Sequence, residues 1–203
     1  MRLIAWDLGA ERGGEMVFAG IGFELAAGQA LAVTGPNGSG KTTLLRVVAG
    51  LLPAAQGAIR LDGGSEDWPT PQAAAHYLGP RNAMKDALTV GENLAFWRDF
   101  LGAARLSPDD ALEAVGLNGI GHLPFAYLST GQKRRAAMAR LLVSRRPLWL
   151  LDEPTAGLDA ASEKRFAALM RDHLAEGGMV LAATHIPLGI EAAELGMGAA
   201  APC

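Results

Sequence analysis

The chain opens with three short runs in which apolar residues alternate with polar or small ones, "RLIAWDL", "GIGFELA" and "ALAVT", set apart by Gly13, Gly14 and Gly28. Strand side chains point to opposite faces in turn, so this period predicts half-buried strands joined by tight turns. The period then changes. "TLLRVVAG" spaces its apolar residues as a helix does and closes on Gly50, a residue suited to a left-handed cap. From about residue 86 to 145 the pattern predicts helices. "TVGENLAFWRDFLG" opens on a Thr89/Glu92 capping box, and "SPDDALEAVG" has Ser107 as N-cap, Pro108 in the first turn and Gly116 as a stop. "LSTGQKRRAAMARLL" starts on Ser129, with Gln132 three places later. After Pro147 strand and helix patterns alternate again: the apolar run "LWLLDE", a helix over about 160–176 carrying Phe166, Leu169, Met170 and Leu174, then "MVLAATH". This order predicts a parallel α/β core split by a helical insert, within a single domain over residues 1–203.

Composition narrows the class. Half of the 203 residues are apolar and 19% are charged, a globular balance in a chain long enough to bury a core. The net charge of −3 supplies no basic field for nucleic acid, and "KRR" at 133–135 and "RR" at 145–146 are expected to be solvated helix faces. Cys203 is the sole cysteine, which leaves no disulfide framework and no CxxC or CxxCH motif, as in a reducing compartment. "MRLIAWDLGA" meets Asp7 too early for a signal peptide. "VVAGLLPAAQGAI" and "GGMVLAATHIPLGI" are too short and too interrupted to cross a bilayer, so work at a membrane calls for a partner there. The tail "GMGAAAPC" is expected to fray.

"GPNGSGKT", residues 35–42, matches G-x-x-x-x-G-K-[ST] between a predicted strand and a predicted helix. In such a loop Gly35, Gly38 and Gly40 let backbone N–H groups face inward as an anion nest, and the helix adds its positive dipole end. Pro36, Asn37, Ser39 and Thr43 complete the binding stretch. Lys41 is expected to reach the β- and γ-phosphates of a nucleoside triphosphate, and Thr42 to coordinate Mg²⁺. At the end of "LWLLDE", Asp152 is expected to hold Mg²⁺ through its water shell and Glu153 to orient or deprotonate the attacking water. His185 follows "MVLAAT", which brings it to the same sheet edge, within reach of the γ-phosphate. His76, His122 and His173 lack such a context and are expected to be structural or solvated. The helix start at Ser129 and Gly131 is a second anion site. One triphosphate needs one P-loop, so this second start best serves a nucleotide held by another copy.

In order along Leu3 to Ile190, "GPNGSGKTT", "LSTGQ", "LWLLDE", "AGLD" at 156–159 and His185 resemble the ATP-binding subunits of ABC transporters. The resemblance implies a P-loop NTPase, RecA-like core with a parallel sheet, an N-terminal antiparallel β subdomain and an inserted helical subdomain. It implies ATP and Mg²⁺, and a homodimer in which each ATP lies between one subunit's P-loop and the other's Ser129 and Gly131. Asp159 would sit at that interface, and hydrolysis would reopen it. The resemblance further implies integral membrane transporter subunits as partners, at the cytoplasmic face of the bacterial inner membrane. Two positions depart from its pattern. Arg81 or Asn82 in "HYLGPRNAMK" stands where a Gln is usual, and Arg12 in "AERGGE" stands nearest to the aromatic residue that usually stacks on adenine. A guanidinium also stacks on a base.

A narrower likeness, carried by the short length, "HYLGPRNAMKDALTVGENLAFW" and "LSTGQKRRAAMARLLVSRRPLWLLDEPTAGLD", is to the ATP-binding subunits of bacterial haem exporters of cytochrome c biogenesis. It implies small inner-membrane partners and power for haem delivery or release. Another ABC exporter is the alternative. A soluble ABC-type ATPase acting on nucleic acid would be expected to show two ATPase units or a long coiled-coil insertion, and neither is present in the sequence. A module that binds ATP without hydrolysis has no use for Glu153. Val90, Leu94, Trp97 and Leu101 share one helix face, expected either to pack the insert or to dock a membrane subunit together with residues 80–86.

Overall fold

The computed structural model describes residues 1–198. Along the chain run β1 Arg2–Arg12, β2 Glu15–Ala26, β3 Ala30–Thr34, α1 Lys41–Val48, β4 Gln56–Asp62, α2 Pro71–Ala74 and β5 Ala75–Leu78. Then come α3 Val90–Leu101, α4 Pro108–Ala114, α5 Thr130–Val143, β6 Leu148–Asp152, α6 Ala160–Ala175, β7 Met179–Ala183 and β8 Ala193–Gly196. They form two compact units: Met1–Tyr77, Pro147–Pro154 and the chain from Met170 onward, and separately Leu78–Arg146 with Thr155–Leu169.

The first unit carries the sheets. β1 pairs antiparallel with β2 and with β4, in the order β2-β1-β4. The second sheet runs β5-β6-β7-β3-β8, and β3 is parallel to β7 and β8, as β6 is to β7. Every residue of β6 and β7 is buried, which explains why both are unbroken apolar runs in the sequence. One core joins the sheets and α1 through residues such as Leu3, Leu25, Leu44, Leu150 and Leu181. Each such leucine stabilises the fold by roughly 1.5–3 kcal/mol relative to exposure. Because β3, β6 and β7 are parallel, their C-terminal ends share an edge, and the segments leaving that edge contain the Gly-rich loop, Glu153 and His185.

The tail does not fray from Gly196 as expected. Gly196 pairs opposite Thr34, and the Met197 N–H donates to the Thr34 carbonyl at 2.7 Å with its side chain buried in the core. Residues 199–203, with Cys203, lie outside the described residues.

The second unit packs α3 and α4 against α5. Capping boxes begin both α3, at Thr89 and Glu92, and α5, at Ser129 and Gln132. On α3, Val90 and Leu94 are fully buried, so they pack the insert and present nothing to a partner. The exposed large residues of that helix are Phe96 and Phe100, whose rings stack at 5.6 Å. The expected solvated "KRR" face is also corrected. Arg134 is buried and donates to the Gly79 carbonyl at 2.8 Å. Arg140 is buried too, with its guanidinium 4.5 Å from the centre of the Trp97 ring. Burial, and then the charge of Arg134, pushes Arg140 down to about 10.

Candidate functional site

The loop after β3 is shaped by glycine. Gly40 has φ 93° and caps α1 with no side-chain hydrogen bond, so the first turn of that helix has no side-chain acceptor at its cap. At Gly35, φ 143°, a Cβ would collide with the Met197 carbonyl and come within 2.9 Å of Ser39 Oγ. The cradle therefore admits only glycine there. The buried Lys41 amine closes the loop on itself, donating to the Gly35 and Pro36 carbonyls at 2.8 and 2.9 Å. Ser39 is buried, while Pro36, Asn37 and Gly38 are exposed and Thr43 is buried on α1.

A cleft of about 430 Å³ opens over this loop. Arg12 and Val17 line it from the first hairpin, Lys41 and Thr42 from α1, and Asp152 and Glu153 from the end of β6. Thr42 Oγ1 donates to Asp152 Oδ1 at 3.0 Å, and the Tyr77 hydroxyl donates to Asp152 Oδ2 at 3.3 Å. Burial pushes the Asp152 carboxyl up, hydrogen bonds from Thr42 and Tyr77 oppose that, and the neighbouring Glu153 charge adds to the rise. A hydroxyl and a carboxylate this close are hard oxygen donors, the set Mg²⁺ takes together with phosphate oxygens. The donor set fits that ion.

Glu153 adopts φ 46°, the left-handed region that a non-glycine residue enters only at a cost. Its N–H donates to the Ala183 carbonyl of β7 at 2.9 Å, which pins it there. Its carboxylate faces His185, with Oε2 2.9 Å from Nδ1. Buried Thr184 brackets that turn: its hydroxyl donates to the Ile186 carbonyl at 2.8 Å and accepts from the Ile186 N–H at 3.1 Å. The remaining histidines are elsewhere. His173 stacks on Trp149 at 4.0 Å in the interior, His76 is buried and His122 is exposed.

In the second unit Ser129 is exposed and engaged with its own helix. Its Oγ accepts from the Gln132 N–H at 3.2 Å, and its N–H donates to Gln132 Oε1 at 2.9 Å. Gly131 follows in the first turn, and the nearest atom to a Cβ there would be the Gly157 carbonyl oxygen, 3.9 Å away. Exposed Asp159 accepts the Ser162 N–H at 2.7 Å, and that bond holds its carboxyl below the usual range. Arg81 is exposed and Asn82 half-buried. Of the residues sequence reasoning gathered, Lys41, Thr42, Asp152 and Glu153 line the cleft and His185 stands beside Glu153, and sequence reasoning missed Tyr77. The only local signal for Tyr77 was a phenol close before the Arg81–Asn82 departure, and its partner lies 75 positions away.

Comparison with known proteins adds relatives to this geometry. The family model described as "ABC transporter" matches residues 18–156. The chain is 68% identical over 200 residues, 98% of itself and 100% of the relative, to the cytochrome c biogenesis ATP-binding export protein CcmA of Mesorhizobium japonicum. It is 64% identical, over 98% of itself and 99% of the relative, to the protein of that name from a Chelativorans species. The solved structure of an ATP-binding subunit of an ABC transporter superposes with TM-score 0.80 at 26% identity, covering 91% of this chain and 80% of that one.

Proposed function

The chain belongs to the ABC transporter family, and from that membership we propose that it is the ATP-hydrolysing subunit of a haem-export system for cytochrome c biogenesis. The observation that carries the chemistry is the cleft in which Lys41, Thr42, Asp152 and Glu153 line one space above a glycine-capped helix start. Residues 1–203 act as one ATPase domain with a helical insert near 86–145. The backbone N–H groups of the Gly35–Thr43 stretch, Pro36 having none, cradle the phosphates. Lys41 exchanges its two loop carbonyls for phosphate oxygens, and Thr42 and Asp152 hold the magnesium site. Mg²⁺, when bound, neutralises charge on the phosphates.

Glu153 takes the role of general base toward the attacking water, and His185, its Nδ1 2.9 Å from Glu153 Oε2, fixes the carboxylate and faces the terminal phosphate. Arg12 stacks on the base from the cleft wall. Ser129 and Gly131 of a second copy complete the site from the other side, with Asp159 at the same contact. Among the described residues no helix is long and apolar enough to cross a membrane. The likeness to ATP-binding export proteins supports membrane partners that hold the subunit at the cytoplasmic face of the inner membrane.

The test uses tagged Glu153→Gln in a bacterial host that makes c-type cytochromes, solubilised with Mg²⁺ and ATP. Co-purification of small haem-handling membrane proteins is expected. An unrelated permease in their place moves the cargo elsewhere and leaves the ATPase standing, whereas loss of ATP binding in this variant sinks the cleft assignment.

A further inference from the structure

We propose that Tyr77 is a positioning residue for the magnesium site, holding the Asp152 carboxylate through the oxygen that Thr42 does not hold; this rests on the nucleotide reading above. Thr42 donates to Oδ1 at 3.0 Å and Tyr77 to Oδ2 at 3.3 Å, so the two hydroxyls grip the two ends of one carboxylate. The terminal torsion of an aspartate is broad and roughly two-fold, and its staggered wells do not fix it. Partners at both oxygens do. Asp152 is also almost wholly buried, so bulk water cannot replace a lost donor cheaply.

Tyr77 is itself held. It sits on β5, the neighbour of β6 in the sheet, with the Arg46 guanidinium near enough for its charge to act on the phenol. Arg46 lies four residues after Thr42 on α1, on the same helix face. The helix that holds one end of the carboxylate through Thr42 thus also brings the Arg46 charge beside Tyr77 and Asp152. The phenolic O–H is the donor in the contact between those two, and Asp152 offers it only an acceptor. A ring that only filled space beside the carboxylate would work equally well as phenylalanine. The hydroxyl is the part with a role.

Tyr77→Phe tests this without turnover. Binding of a fluorescent ATP analogue is followed by anisotropy while Mg²⁺ is titrated, with a parallel titration in excess EDTA. The Mg²⁺ midpoint should rise about tenfold, the lower end for losing a residue that orients a metal ligand, while the affinity in EDTA stays within about twofold. A midpoint within about twofold of wild type overturns the role. Should the phenylalanine variant not fold, Tyr77→Met removes the same hydroxyl and the same midpoint decides. Wild-type binding that ignores Mg²⁺ overturns the nucleotide reading together with this one, whereas a normal wild-type response with an unshifted variant overturns Tyr77 alone.

Discussion

α1 and α5 both begin with glycine close by, and they treat their free N–H groups in opposite ways. α1 is capped by Gly40, which offers no acceptor, and the amine of Lys41 is parked on two loop carbonyls. α5 is capped by Ser129 and Gln132, each satisfying the other's backbone. A helix start needs acceptors, and glycine at the cap costs only a few tenths of a kcal/mol relative to serine. The first start is thus left open at little cost, inside a cleft with cation, hydroxyl and carboxylates around it. The second is complete without a ligand and exposed. On the proposed reading a single chain holds the chemistry at α1, and a second copy's nucleotide at α5 would have to share Ser129 with the cap.

The largest blow to the α1 side is Glu153→Gln. Removing a positioned general base should lower turnover roughly 10²–10⁴-fold, with ATP affinity held within about threefold. Phosphate release and equilibrium binding measure the two quantities, and near-wild-type hydrolysis would strip Glu153 of its role despite its pairing with His185. Lys41→Ala should act on binding itself. Losing charge-assisted hydrogen bonds of about 1.5–3 kcal/mol weakens ATP affinity roughly 10- to 150-fold, and an unchanged Kd would mean that the loop is no phosphate cradle.

Gly131→Ala shifts the contest to α5. Space for the methyl exists, since its nearest neighbour would be 3.9 Å away. Alanine is also the better helix former by up to about 1 kcal/mol, so the melting temperature should hold or rise by a few degrees. If a partner's phosphate approaches this turn closely, turnover should nonetheless fall about tenfold, with ATP affinity of the dilute single chain unchanged. A variant both more stable and fully active would remove α5 from the reaction.

What was legible in the sequence was local. The Gly35, Gly38 and Gly40 spacing translates into φ angles of 143°, 84° and 93°, and both capping boxes are contacts between residues three apart. β6 and β7 were legible because full burial demands unbroken apolar runs. What stayed hidden depends on distant partners. β4 exists because β1 offers it an edge, and β8 because β3 does, although neither "QGAIRLD" nor "AELG" announces a strand. Arg134 reads as surface until the Gly79 carbonyl, 55 residues back, supplies its buried acceptor. On α3 the apolar pattern admits two faces, and packing against α4 and α5 selects Val90 and Leu94 for the interior while leaving Phe96 and Phe100 outside.

The smallest expected effect separates the two uses of Ser129. Ser129→Ala deletes the acceptor that Gln132 N–H uses, and loss of an N-cap costs about 1 kcal/mol, or about 2–4 °C in the melting temperature of a chain this size. Turnover would drop in this variant under either role, because a frayed first turn also misplaces Gly131. Ser129→Asp resolves the ambiguity. Aspartate caps about as well as serine, so the melting temperature should return to within about 1 °C of wild type. Its carboxylate, however, would face the phosphate of a second copy's nucleotide, and like charges repel. Restored stability with turnover still depressed assigns Ser129 to the shared site; restored stability with restored turnover leaves it a cap and nothing more.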